Sequence, residues 1–191
     1  MKVLALNSSP RPNGNTSQLI EIVFNAIKED LQTVETESIQ LNDKIINSCK
    51  GCFICSKQKD GKCIQNDDLN PIIEKMRNAD CILFGSPVYW GAITGKMKCL
   101  LERTGMVAMF NKHFLKRKIG APIIAVRRQG ALPSFSTITY FIHGMQMLMT
   151  GASYWNLGIG LAPGDVQKDS EGMENMKNLG KNIAWLLEKI K

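Results

Sequence analysis

Four of the six cysteines fall in one short stretch. Cys49, Cys52, Cys55 and Cys63 spell C-x2-C-x2-C-x7-C. Thiolates at i, i+3 and i+6 wrap one side of a cuboidal group, and a fourth from the same loop closes it, the pattern of 4Fe–4S ligation. Zinc is the nearest competitor, but four-cysteine zinc sites more often pair two separated C-x2-C knuckles, which this chain lacks. Free thiols are the third reading. Lys50, Lys57, Lys59 and Lys62 flank the loop and either offset an anionic tetrathiolate or are simply solvated. Cys81 and Cys99 stand apart and read as buried, inert thiols in a strand and a helix.

The second constellation is Ser8-Ser9-Pro10-Arg11-Pro12-Asn13-Gly14-Asn15-Thr16-Ser17. It is neither G-x-G-x-x-G nor G-x-x-x-x-G-K-[ST]. It nevertheless holds the parts of a phosphate cradle. Ser9, Thr16 and Ser17 bring hydroxyls and Asn15 an amide. Gly14 admits close approach of backbone N–H groups, and the helix that follows offers unpaired donors and a partial positive charge. Arg11 adds a fork for a terminal phosphate. A helix cap alone needs one polar side chain, and this loop supplies several plus a cation. Other chemistry is thinly represented. H-E-x-x-H and G-x-S-x-G are absent, and His113 and His143 are isolated, so hydrolases with a histidine base are weakly supported.

These residues must be positioned by regular elements. Lys2–Asn7 is a short apolar run that fits a buried strand. Leu19, Ile22, Val23, Ala26 and Ile27 mark one face of a helix over Thr16–Glu29, with Gly14-Asn15-Thr16 as turn and N-cap. Thr33–Gln40 is a second strand. The cysteine loop runs from about 45 to 65, then Asp67-Asp68 cap a helix with Pro71 in its first turn. Asp80–Ser86 and Pro122–Val126 are buried strands, and a helix spans Thr94–Arg103. Met106, Val107, Met109 and Phe110 read as an apolar loop with no obvious home. Phe135–Met149 shows helical spacing, Ala152–Leu161 contains the last strand, and Glu171–Lys191 is a terminal helix. Five strands, each followed by a helix, with continuous apolar strands, predict a three-layer α/β fold. The expected architecture is a doubly wound five-stranded parallel sheet in the order 2-1-3-4-5, as one domain over residues 1–191 with the cysteine-rich insertion at about 45–65. Ligands then bind beyond the carboxyl ends of the strands.

Composition narrows the classes. At 44% hydrophobic and 21% charged residues, the chain is neither disordered nor low-complexity. Its cysteines are too sparse for a secreted disulfide scaffold. The net charge of +7 suits anionic partners but does not cluster. The densest run, Lys112 to Lys118, has no helical stripe, so no nucleic-acid partner is expected. No apolar run reaches a signal-peptide core or a membrane helix, so the expectation is a soluble cytoplasmic protein with reduced thiols and no membrane partner.

Ser9-Pro10-Arg11 with Gly14-Asn15-Thr16 resembles the FMN-phosphate loop of flavodoxin-like NAD(P)H-dependent FMN reductases. Gly85-Ser86-Pro87-Val88-Tyr89-Trp90-Gly91 is similar to the family segment that runs past the flavin ring, and the cysteine cluster points to the iron–sulfur flavoprotein branch. Two departures are that no proline follows the fourth cysteine and that the x7 gap is long for that branch. The resemblance implies that Ser9, Arg11, Asn15, Thr16 and Ser17 hold the FMN phosphate. It implies that Pro87, Val88, Tyr89 and Trp90 lie along the isoalloxazine, and that Arg127-Arg128-Gln129-Gly130 approaches its pyrimidine side. Arg127 or Arg128 would offset the negative charge of reduced flavin. Further implications are an FMN-dependent oxidoreductase, a 4Fe–4S cluster, and NAD(P)H, quinone or a ferredoxin-like carrier as electron partner. The alternatives are an FMN or quinone reductase without a cluster, and a non-enzymatic module with a zinc-stabilised loop. A homodimer or homotetramer is expected, because such reductases commonly build the flavin site between subunits. Tyr154-Trp155 belongs either to the core or to a neighbour's site.

Overall fold

The computed structural model describes residues 1–190. Three strands, β1 (Lys2–Asn7), β3 (Cys81–Pro87) and β4 (Ile119–Val126), are nearly continuous apolar runs, and β4 is buried at every position. Such strands require cover on both faces. Alternation divides them: Val3 and Ala5 face one core, Leu4 and Leu6 the other. The first face is covered by α1 (Asn15–Asp30) and α6 (Ser170–Lys189), the second by α3 (Leu69–Asn78), α4 (Gly95–Phe110) and α5 (Ala131–Gly144). With β2 (Glu35–Gln40) on one side, the parallel order is β2-β1-β3-β4-β5, the expected doubly wound order.

Beyond β4 the architecture departs from expectation. Two short strands, β5 (Leu148–Met149) and β6 (Leu157–Ile159), pair in succession along β4. The edge position is therefore a split strand, with residues 150–156 looping out between its halves. The helix expected over Phe135–Met149 starts earlier and stops at Gly144, because Gln146 adopts φ +58 and Met147–Met149 leave for the sheet. β5 is accordingly not followed by a helix. Met106, Val107, Met109 and Phe110 form the last turns of α4, which extends seven residues past the expected end at Arg103. A five-residue helix, α2 (Ile54–Gln58), lies unanticipated inside the cysteine loop. The terminal helix, expected over Glu171–Lys191, begins one residue earlier and ends at Lys189, with Ile190 as its C-cap; Lys191 lies outside the described residues. Among these residues no helix is long and apolar enough to cross a membrane.

Candidate functional site

At the carboxyl ends of β1, β3 and β4 lies a cleft of about 220 Å³. Its first wall is the loop between β1 and α1. The Ser8 amide and hydroxyl both donate to the Gly85 carbonyl, at 2.9 and 3.0 Å, and fasten the loop to the end of β3. Asn7 Oδ1 accepts from the Ser9 amide, and Ser9 Oγ accepts from the Arg11 amide at 3.1 Å. The loop ends at Gly14, which occupies the N-cap of α1, and no side chain caps the helix. The first amides of α1 therefore have neither a carbonyl a turn earlier nor a side-chain acceptor, the condition for anion binding.

The hydroxyl of Thr16 is buried, has no hydrogen-bond partner, and belongs to the cleft wall. An orphaned buried hydroxyl is costly, at about 1–3 kcal/mol. Beside open helix amides, it fits a phosphate ester oxygen. Gly85 keeps this corner tight: a Cβ there would meet Ile20 Cδ1 at 2.7 Å and Thr16 Cγ2 at 3.1 Å.

The other predicted loop residues divide. Ser9, Arg11 and Asn15 line the cleft with Thr16. Asn15 uses its side-chain oxygen elsewhere, accepting from the Gly164 and Val166 amides at 3.0 and 3.3 Å, so it ties the segment after β6 to α1. Ser17 is outside the lining, with its hydroxyl turned back on the Pro12 and Gly14 carbonyls. Arg11 Nη1 spans to the Leu161 carbonyl at 3.3 Å.

The second wall is the segment after β3. Val88 donates to the Ala125 carbonyl at 2.9 Å, continuing the ladder past Pro87. Tyr89 and Ala92 then exchange backbone bonds across a two-residue turn, Trp90 at φ +51 and Gly91 at φ +76. Pro87, Val88 and Tyr89 line the cleft. Trp90 does not: it sits at the tip of the turn, fully exposed, because an αL position at a hairpin tip points away from the sheet end. Gly130, at φ +93, fits behind this turn, where a Cβ would come within 2.7 Å of Gly91 Cα and Val88 Cγ1. Arg127 completes the lining and Arg128 does not take part. Ala125, Gly160 and Leu161 also line the cleft and went unread in the sequence. The split edge strand hides the signal, since Gly160 and Leu161 become cleft residues only once β6 is placed beside β4. The lining carries two arginines and no carboxylate, so the cleft is electropositive.

A second cavity brings all four clustered cysteines together. Cys49, Cys52, Cys55 and Cys63 line it with Lys50, Phe53, Ile64, Gln65, Arg103, Met106 and Val107. The loop is pinched at its base. Asp68 accepts from the Ile45 amide at 2.7 Å, and Asp67 accepts from the Asn47 amide at 3.1 Å. Asn70 exchanges bonds with the backbone of Cys63, both at 2.8 Å. Asn111 at the end of α4 accepts from the Gly61 amide and donates to the Cys55 carbonyl. Burial pushes the Cys55 thiol up, and the neighbouring Cys63, Cys52 and Cys49 thiols add to the shift. Cys81 is fully buried, as expected, whereas Cys99 is only half-buried.

Among the described residues no three His, Cys, Asp or Glu side chains are grouped for a single metal ion. One tetrahedral zinc needs its sulfurs about 3.8 Å apart, given Zn–S near 2.3 Å. A cuboidal cluster binds each thiolate to a different iron and spreads them more widely. The donor set, four thiols on one apolar-walled cavity, fits such a cluster chemically. The cavity is narrow, about 20 Å³, and its outer wall at Gly51–Phe53 is exposed. A cuboidal group enters only if that wall moves outward.

The family described as NADPH-dependent FMN reductase matches residues 1–162. An iron–sulfur flavoprotein of Methanocaldococcus jannaschii is 38% identical over 198 residues, covering all of both chains. An iron–sulfur flavoprotein of Archaeoglobus fulgidus is 34% identical, covering 100% of this chain and 98% of its own. Among solved structures, an NAD(P)H:quinone oxidoreductase from Methanothermobacter marburgensis superposes with a TM-score of 0.68 at 15% identity, over 96% of each chain.

Proposed function

The chain belongs to the NADPH-dependent FMN reductase family and is a flavin-dependent oxidoreductase, and from that premise we propose that it holds FMN in the cleft at the ends of β1, β3 and β4, couples it to a 4Fe–4S cluster on Cys49, Cys52, Cys55 and Cys63, and exchanges electrons with a one-electron carrier such as ferredoxin. FMN, when bound, connects two-electron donors such as NAD(P)H or quinols with one-electron partners. No side chain need serve as acid or base. The protein's part is binding, orientation and tuning.

The observation that carries the reading is the buried, unpartnered Thr16 hydroxyl beside the uncapped start of α1. The phosphate is held by Thr16 and the amides of Asn15, Thr16 and Ser17, so Ser17 contributes backbone rather than hydroxyl. Ser9 orders the loop, and Arg11, which reaches the Leu161 carbonyl in this structure, would be the cation available to the phosphate. Pro87, Val88 and Tyr89 form the wall beside the ring, and Arg127 offsets negative charge at its edge. Asn15 positions the loop after β6. The chain acts as one domain, and Trp90, Tyr154 and Trp155 are available to a second copy in a homodimer or homotetramer.

Freshly purified, oxygen-protected protein is expected to show flavin absorbance plus a broad shoulder in the visible blue, with iron and sulfide in anaerobic assays. A colourless protein that refuses micromolar FMN overturns the reading. The narrow cysteine cavity favours a second possibility, an NAD(P)H-dependent FMN or quinone reductase without a cluster. Rapid NAD(P)H oxidation by protein free of iron would select it. The non-enzymatic zinc module gives way to family membership.

A further inference from the structure

Arg103 is the largest fully buried side chain among the described residues, and it belongs to the wall of the cysteine cavity. It projects from α4, opposite the loop. One nitrogen, Nη1, pairs with the Asp67 carboxylate and donates to the Asn47 carbonyl at 3.3 Å. It thereby clamps both strands of the loop's base. The other two nitrogens, Nε and Nη2, are buried and close no hydrogen bond, although the Cys63 thiol stands beside the guanidinium. Buried donors are nearly always paired, and a guanidinium presents its donors in a fixed fork that cannot turn away. With Nη1 anchored, the remaining donors stay fixed beside the thiols. Besides the Gln65 amide, whose nitrogen is held by the Ser48 carbonyl, the side-chain acceptors lining this cavity are the four sulfurs, and Cys63 stands beside the guanidinium.

Resting on the cluster reading above, we infer that Arg103 is a binding residue of the cysteine cavity, whose Nε and Nη2 donate N–H···S hydrogen bonds to an iron–sulfur cluster and raise its reduction potential. One-electron reduction by reduced flavin adds negative charge, part of it to the sulfurs. Hydrogen bonds to sulfur stabilise that charge and are a known lever on potential. Arg103 itself exchanges neither electron nor proton. Lys50 also lines the cavity but, like Lys57, Lys59 and Lys62, it is exposed and screened by solvent, so these lysines are weak substitutes. Asp67 fixes the guanidinium and cancels much of its net charge, so the effect comes from directed donors rather than from a bare cation.

The test uses full-length protein reconstituted anaerobically with ferrous iron and sulfide, with both assayed per chain. Arg103→Lys keeps a cation for Asp67 but has no fork to reach the sulfurs. It is expected to load the cluster, with the reduced-to-oxidised ratio at fixed poise falling about tenfold, about 59 mV for one electron, in an EPR-monitored titration. The FMN potential is expected not to move. Pulsed EPR of wild-type protein grown on 15N-arginine is expected to show nitrogen coupling to the reduced cluster, and Arg103→Lys to lack it. A loaded Arg103→Lys at unchanged potential overturns the inference. So does wild-type protein without the nitrogen coupling, a measurement that needs no variant to fold. Wild-type protein that binds no iron removes the cluster reading itself, and this inference with it.

Discussion

At the scale of single residues, Thr16 and Arg103 share one feature: each is a buried polar group left unsatisfied by its own fold. For Thr16 the feature gives a prediction with opposite signs in two assays. Thr16→Val keeps the shape and removes the hydroxyl. In the flavin-free protein this is expected to be neutral or stabilising, because an unpaired donor disappears. FMN binding is expected to weaken by about tenfold to a hundredfold, as for a lost bond to a charged acceptor worth about 1.5–3 kcal/mol. Fluorescence titration with FMN and a thermal melt of the apoprotein check the two halves. Equal affinity would mean that the phosphate lies elsewhere. Thr16 stands out in the sequence because it sits two residues past Pro-Asn-Gly at a strand-to-helix junction. Arg103 was missed, though its spacing carried a signal. It lies three residues after Leu100 and four before Val107, on the apolar stripe of α4, where a charged residue must have a buried partner.

At the scale of elements, the cysteine loop depends on a carboxylate. Burial works against ionised Asp67, but the Arg103 hydrogen bond, followed by the Asn47 and Leu69 amides, outweighs it and holds the carboxyl below its usual range. A lowered carboxylate contributes stability that is complete above its unfolded value of about 3.9 and is lost as pH falls through the folded value. Hydrogen exchange at the Cys55 and Cys63 amides is therefore expected to accelerate below about pH 4, before the β1–β3–β4 core opens. Asp67→Ala strands a buried guanidinium, costs about 3–5 kcal/mol at neutral pH, and flattens this acid limb. A second element-scale prediction concerns the turn at Trp90-Gly91. Gly130→Ala combines a positive φ with a Cβ on the Gly91 backbone. It is expected to cost about 1–3 kcal/mol in denaturant melts and to displace Val88 and Tyr89 from the cleft, weakening FMN binding as well. The buried strands were readable because four or more consecutive apolar residues have few alternatives. The split edge strand was not. Phe141, Ile142, Met145, Leu148 and Met149 keep a helical spacing by coincidence, and two-residue β5 has no period to set against it. The extra turns of α4 were obscured for a related reason: the basic run beginning at Lys112 made the preceding apolar residues look like loop.

At the scale of the whole molecule, the surface is more apolar than the core requires. All three tryptophans are exposed: Trp90 fully, Trp185 at 60% and Trp155 at 44%. Tyr154 packs edge-on against Trp155 with ring centroids 4.4 Å apart, yet both remain accessible. Leu148, Met149, Ile159 and Leu161, on and just beyond the split edge strand, are exposed too. Tryptophan is highly buried on average, and exposed apolar surface on this scale marks association sites. Because Leu161 also lines the cleft, the apolar edge adjoins the flavin wall, and covering it with a second copy would shield both together. Sedimentation at micromolar concentration is expected to give two or four times the 21.3 kDa chain mass. Replacing Trp155 with serine is expected to shift the distribution toward monomer while leaving far-UV dichroism unchanged, since the ring is not part of either core. Tryptophan emission gives an independent reading: dilution through the dissociation range should move it to the red as indoles return to water. A wild-type monomer at high concentration, with emission independent of dilution, would leave this edge for a different partner and make the flavin wall the property of one chain alone.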